Sequence, residues 1–269
     1  MILVPAPAPF APGFSIPGSS VDNGDEDIPV IGEEMLHQER VDLEAGISAF
    51  PKVTILLILA CLFAYGRQVQ IGGLENVGRV IDTGATHRDE ILEGQAWRLV
   101  SGAFMHANIE HLLGNMGLLY ILGMACEHAF GVQPFLLLYM AACLTGGLLT
   151  MTTEVPTVGA SGAIFGLAGA LISLVYVRRR RIEIRDHRVG IVLAIWAVYT
   201  LALGLLSPIV SNACHLGGLL GGLILGALLP PAILTDRRAM ARSPVTRLQG
   251  AIALGVLAST AMLWLPHLR

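Results

Sequence analysis

Charge is what this 269-residue chain has least of: Asp, Glu, Lys and Arg together make up 14% of it, about half their share in an average soluble domain. Lysine is almost missing, with Lys52 alone beside 16 arginines. No C-x-x-C pair occurs among Cys61, Cys126, Cys143 and Cys214. That spacing excludes a disulfide framework or a cysteine-rich zinc site and leaves the four thiols as apolar packing groups. H-E-x-x-H is absent, and His106 and His111 are five apart and poorly aligned on a helix, so no metal is expected. G-x-S-x-G is absent too, which removes the α/β-hydrolase elbow. A net charge of −3 excludes a nucleic-acid binder driven by charge. What the chain does have is 54% hydrophobic residues, and the few charges leave long gaps. The 47 residues between Arg188 and Asp236 carry none, nor do the 26 between Glu127 and Glu154. A helix needs about 20 mostly apolar residues to cross a bilayer. The composition therefore predicts an all-α polytopic membrane protein.

The charge-free stretches predict seven spans. Val53–Gly66 is short but extendable if Lys52 and Arg67 snorkel. His111–Cys126, Phe135–Met151 and a span from Ser161 to Val177 follow. The longest stretch splits at Ser207-Pro208, since proline breaks a helix interior, into Gly190–Leu206 and Asn212–Leu229. Leu248–Pro266 is the seventh. Arginine sets the expected orientation. Six lie between Arg178 and Arg188, and Arg237, Arg238, Arg242 and Arg247 lie between Leu229 and Leu248. With seven spans both loops share a side with the N-terminus, which is thus expected in the cytoplasm. Between two spans, the run Arg178–Arg181 reads as a topology anchor rather than a nucleic-acid patch. Residues 1–50 are rich in Pro and acids, too polar to fold alone, and lack the basic start of a signal peptide. They read as a disordered cytoplasmic tail, 233–247 as an arginine-bearing linker.

Polar groups inside a bilayer are costly and mark function by default. Three such groups stand out: His106, His111 and Asn115 at the start of the second span, Gly159-Ala160-Ser161-Gly162 at the start of the fourth, and His215 in the sixth. All fall at the external ends of their spans and so share one depth. There a Ser and a His on two helices can form a nucleophile–base pair. His111 and Asn115, four apart, project from one helical face and offer donors to a developing oxyanion. Ser161 at a helix start adds backbone N–H groups. Gly162 and Gly166 make one small-residue stripe; Gly218, Gly222 and Gly226 make another on the side of His215. Such stripes let membrane helices approach closely. No Asp in the external halves of these spans can serve as a third member, so a two-residue dyad is implied.

Over about residues 52–232 this sequence resembles the rhomboid intramembrane serine proteases. Trp97-Arg98 is similar to the family's Trp-Arg of the first external loop, His106-x4-His111-x3-Asn115 to its second-helix pattern, Gly159-Ala160-Ser161-Gly162 to its nucleophile motif, and His215-x2-Gly218-x3-Gly222 to its base helix. The resemblance implies Ser161 as nucleophile, His215 as general base, and His111, Asn115 and the Ser161 N–H as oxyanion hole. It sets Phe165 against the catalytic histidine and Glu127 with Gly131 at the inner end of the second helix. Trp196 and Tyr199 on the fifth span become candidate substrate-gate residues, while Arg98 and His106 hold the outer cap. It further implies a six-helix core over 51–232, with the span 248–266 as an additional C-terminal transmembrane helix of unknown role.

The function implied is hydrolysis of peptide bonds in or next to membrane helices of substrate proteins, without cofactor or metal. Membrane lipids are the surroundings and no nucleic acid is a partner; the oligomeric state is unknown. Scarce lysine suggests a GC-rich bacterial source, hence its cell membrane, with the active site opening outward. The alternative is a catalytically silent rhomboid-like protein that binds membrane helices; such proteins usually lose the Ser or the His, and both remain here. A transporter would show two symmetrical halves, and seven spans do not divide.

Overall fold

The computed structural model describes residues 40–186, 188–207, 210–235, 240 and 243–268. The acidic, proline-rich stretch 1–39 and Arg237, Arg238 and Arg242 of the linker lie outside the described residues. In chain order come β1 (Val41–Asp42), α1 (Lys52–Gln70), α2 (Val77–Asp82), α3 (Arg88–Leu92), α4 (Arg98–Ser101), α5 (Ile109–Phe130), α6 (Val132–Thr150), α7 (Ser161–Val177), β2 (Ile182–Glu183), α8 (Val189–Gly204), α9 (Asn212–Leu228) and α10 (Pro244–Trp264). Helices α1, α5, α6, α10 and α9 with the turn after it are long and apolar enough to cross a membrane, whereas α7 and α8 have 17 and 16 residues.

The helix ends follow from local chemistry. Asn108 starts α5 by accepting the His111 N–H at 2.8 Å, and Ser211 starts α9 by accepting that of Cys214 at 3.3 Å. Such side chains satisfy donors that have no partner within the helix. Pro244 opens α10, where the missing N–H costs nothing. Gly131, at φ +83°, ends α5 and starts α6, a conformation that L side chains rarely adopt.

Glu127 ties the far ends of α1 and α5 together. Its carboxylate accepts the N–H of Val53 at 3.1 Å, and the N–H and hydroxyl of Thr54 at 2.9 Å each. It caps α1 across space, because Pro51 at its start offers no side-chain acceptor. Glu127→Ala is expected to cost about 1–2 kcal/mol through the lost cap. Thermal unfolding in lipid nanodiscs checks this, and an unmoved midpoint would contradict it.

Helix α7 sits at the centre, buried on nearly every side, and packs most extensively against α9. Glycine makes this approach possible. A Cβ on Gly218 would collide with the Gly162 carbonyl oxygen and one on Gly222 with that of Gly166; on Gly226 it would lie 2.5 Å from the Ala170 Cα. The two backbones therefore touch directly along three turns. A second stripe faces α6, where Gly217 and Gly221 pack against Thr145.

At the opposite end from Ser161, β1 and β2 pair in parallel, Val41 beside Ile182 and Asp42 beside Glu183. Arg185 adds ion pairs to Glu44 at 3.2 Å and Asp42 at 4.0 Å, exposed and worth little. This ordered contact lies within the stretch whose composition reads as a tail.

Candidate active site

Three helix starts meet at one end of the bundle: α5 with His111 and Asn115, α7 with Ser161, and α9 with His215. The sequence allows this because each helix begins where a capping or turn residue stands, and because glycines bring α7 onto α9. His215 Nε2 lies 2.8 Å from Ser161 Oγ, a hydrogen bond of ordinary length. The imidazole is 7% exposed, and among the described residues its Nδ1 has no hydrogen-bond partner. Its plane is held by stacking instead. Phe165, one turn after Ser161, lies 4.4 Å away between centroids at an interplanar angle of 9°. Trp196 of α8 packs against Phe165 in turn, at 4.9 Å.

Gly159 forms the turn before the serine. It has φ +119°, and a Cβ there would lie 2.6 Å from His111 Nε2 and 3.2 Å from Asn115 Nδ2, so this position requires glycine on both conformational and steric grounds. Its N–H donates to the Gly102 carbonyl at 2.9 Å. Just before it, Thr157 exchanges two backbone hydrogen bonds with Thr86, each 2.9 Å. Asn115 is buried, and its Nδ2 has no acceptor among the described residues. A buried donor without a partner is costly; Asn115 also lines a cavity of about 790 Å³, together with Ser161, His215, His111, Phe165 and Trp196. A second cavity of about 600 Å³ lies by Lys52, Glu127 and Gln133 and includes neither Ser161 nor His106, His111 or His215.

The other residues singled out in the sequence fall around this centre. Arg98 donates to the carbonyls of Ile81 and Ala85 and to the Gln95 side chain, and its guanidinium lies 4.8 Å above the Trp97 ring. These two residues staple the loop between α1 and α5. His106 is fully buried beside His111, with ring centroids 5.2 Å apart, and its backbone N–H donates to Gln68 Oε1 at 3.1 Å. Burial, reinforced by repulsion from His111, pushes the His106 imidazole down to about 3, so it is neutral at physiological pH. Tyr199 is 60% exposed and does not line the cavity. Among the described residues no group of three or more His, Cys, Asp or Glu could hold a metal ion.

Sequence reading missed the ties behind the serine: Thr86 to Thr157, Gly102 to Gly159, and Gln68 beneath His106. The first two are backbone bonds, which carry no side-chain signature. Gln68 had a signal, an uncharged polar residue beside a predicted span.

Residues 93–232 match the family model described as Rhomboid domain. Among curated proteins the chain is 33% identical over 195 residues to "Rhomboid protease GluP" of Bacillus subtilis (strain 168), which covers 71% of this chain and 38% of that protein. It is 37% identical over 150 residues to "RHOMBOID-like protein 5" of Arabidopsis thaliana, covering 54% and 48%. With "RHOMBOID-like protein 2" of the same plant it shares 40% over 144 residues, covering 53% and 45%. The chain thus spans less than half the length of each of these relatives.

Proposed function

The chain belongs to the rhomboid family, and we propose that it is an active intramembrane serine endopeptidase working through Ser161 and His215. It is a multi-pass membrane protein. In this reading, Ser161 Oγ attacks the carbonyl carbon of a peptide bond while His215 Nε2 takes its proton. Negative charge then develops on the carbonyl oxygen, where the Asn115 amide, His111 and the Ser161 N–H stabilise it. On collapse the C–N bond breaks and His215 returns the proton to the leaving amine. Water, deprotonated by the same imidazole, then releases the acyl group from Ser161. The observation that carries this reading is the 2.8 Å Ser161–His215 contact, at a cavity lined by Asn115, whose buried amide has no acceptor among the described residues.

The substrates we propose are membrane helices that unwind locally, Gly- or Pro-bearing ones above all, since a helical peptide bond is shielded by its own hydrogen bonds. We read α1 and α5 to α9 as the catalytic core and α10 as an added span. The N-terminus then lies in the cytoplasm, the site opens outward, and the setting is a bacterial cell membrane. Residues 1–39 stay assigned to an acidic tail by composition alone. Trp196, which lines the cavity, is the better gate candidate; Tyr199 does not line it.

A fluorophosphonate probe on purified protein tests the proposal. Wild type is expected to be labelled on Ser161 and to cut a reporter membrane helix, and Ser161→Ala to do neither. Unchanged cleavage by Ser161→Ala would sink the assignment, and no labelling of wild type would favour a silent helix-binding relative.

A further inference from the structure

We propose that Trp264, at the end of α10, is a positioning residue for the turn that carries the nucleophile. The proposal rests on the protease reading above and gives the added span a role in it. Helix α10 contributes no residue to the cavity, and much of its surface is exposed, with Met262 at 78% and Leu254 at 57%. Trp264, at 7%, is one of its few buried residues, with Thr246, Gly250, Ala253 and Thr260. Its indole N–H donates to the Thr83 carbonyl at 2.8 Å, and its ring lies 6.0 Å from Phe104. A buried indole needs such an acceptor. The next residue, Gly84, has φ +112°, and a Cβ there would sit 2.7 Å from the indole. The loop backbone therefore lies directly against the ring. Just beyond the helix, His267 adds a ring contact to Trp97 at 4.9 Å.

From this anchor hydrogen bonds joined by short stretches of backbone lead to Gly159, two residues before the serine. The Gly84 carbonyl accepts from Ser101 Oγ at 2.7 Å, and Thr86 Oγ1 donates to the Arg98 carbonyl at 2.8 Å. The Thr86 backbone is paired with Thr157, and Gly102 accepts from Gly159. Gly159 in turn backs onto His111 and Asn115 and lies two residues before Ser161. Loosening the Thr83–Gly84 turn frees the segment against which the nucleophile's turn is built. Catalytic rates respond to such misplacement far more than binding does.

The test compares wild type with Trp264→Phe, Trp264→Ala and, as a control on the same helix, Met262→Ala, all full length in lipid nanodiscs. Trp264→Ala is expected to lower kcat on the reporter helix by about tenfold to a hundredfold, with KM within about twofold. Trp264→Phe keeps the ring without its donor and should lose about threefold. Met262→Ala should match wild type. Amide exchange should quicken within residues 83–104 and 155–162 but not in α6 or α9. Unchanged kcat with unchanged exchange would overturn the proposal. So would exchange quickened throughout α6, α7 and α9, which would make Trp264 a general support of the fold. Wild type without Ser161-dependent cleavage would defeat the protease reading instead. The exchange comparison would then judge the anchor alone: local quickening supports it, and none refutes it.

Discussion

His215→Ala is expected to lower cleavage of a reporter membrane helix by about 10²-fold to 10⁴-fold, the scale on which a positioned general base contributes to catalysis. The reason is that the ring makes a single polar contact among the described residues. Nε2 bonds Ser161 Oγ at 2.8 Å, and among the described residues no other acceptor stands ready to take the hydroxyl proton. Two groups that act as one unit are strongly non-additive, so Ser161→Ala with His215→Ala should be scarcely worse than either alone. Additive losses would mean that the residues act separately. In wild type the rate should fall about tenfold per pH unit on the acid side, because only the neutral imidazole accepts a proton. A limb of slope two would contradict a single titrating base. Rate measurements on single and double variants across pH supply all of these readings.

Much of this centre was open to sequence reasoning because a bilayer simplifies the problem. Where water is excluded, a run without charge is a helix, and a Ser or His within it stands out. The spacing of His111 and Asn115 and the stripe Gly218, Gly222, Gly226 needed only helical periodicity to be placed on faces. Other features left weaker marks. Helix α5 starts at Ile109 and takes Glu110 into its first turn, where a carboxylate faces the positive end of the helix dipole; a rule based on charge-free runs places that start later. The Gly217–Gly221 stripe hid inside the Gly-Gly pairs of its neighbour, and one stripe explained those glycines well enough. Pairing of β1 with β2 rests on two residues each, too short for any periodicity. The backbone ties behind Gly159 join segments far apart in sequence through atoms that every residue possesses. Trp264 could be seen only as one aromatic at the end of a span, and such residues are common at membrane interfaces. Side-chain chemistry was legible at a distance, then, while the backbone scaffold that aims it was not.

That scaffold yields the second large expected effect, at Gly218. One added methyl, in Gly218→Ala, is expected to reduce cleavage by about a hundredfold through displacement of the reacting groups. The new Cβ would land on the Gly162 carbonyl oxygen, far inside the 3.0 Å that real contacts respect. Both partners are backbone, so no rotamer change relieves the clash, and the helices must part by more than about 1 Å. Gly218 is one turn after His215, and Gly162 directly follows Ser161. The parting is therefore greatest at the 2.8 Å contact, which ceases to be a hydrogen bond beyond about 3.5 Å. Overpacking of this kind costs about 1–3 kcal/mol in stability, so a folded, inserted protein with a parted dyad is the expected product. Gly255→Ala on α10 is the control, since nothing lies within 4 Å of its added Cβ. Gly226→Ala is the sharper comparison: its Cβ meets the Ala170 Cα at 2.5 Å, but two turns further from His215. Its strain acts at the other end of the helix pair, and the folded fraction should keep its rate within about threefold. Thermal midpoints measured beside cleavage rates separate the two effects. Equal losses of rate at Gly218 and Gly226 would mean that the stripe supports the fold without setting the distance between serine and histidine.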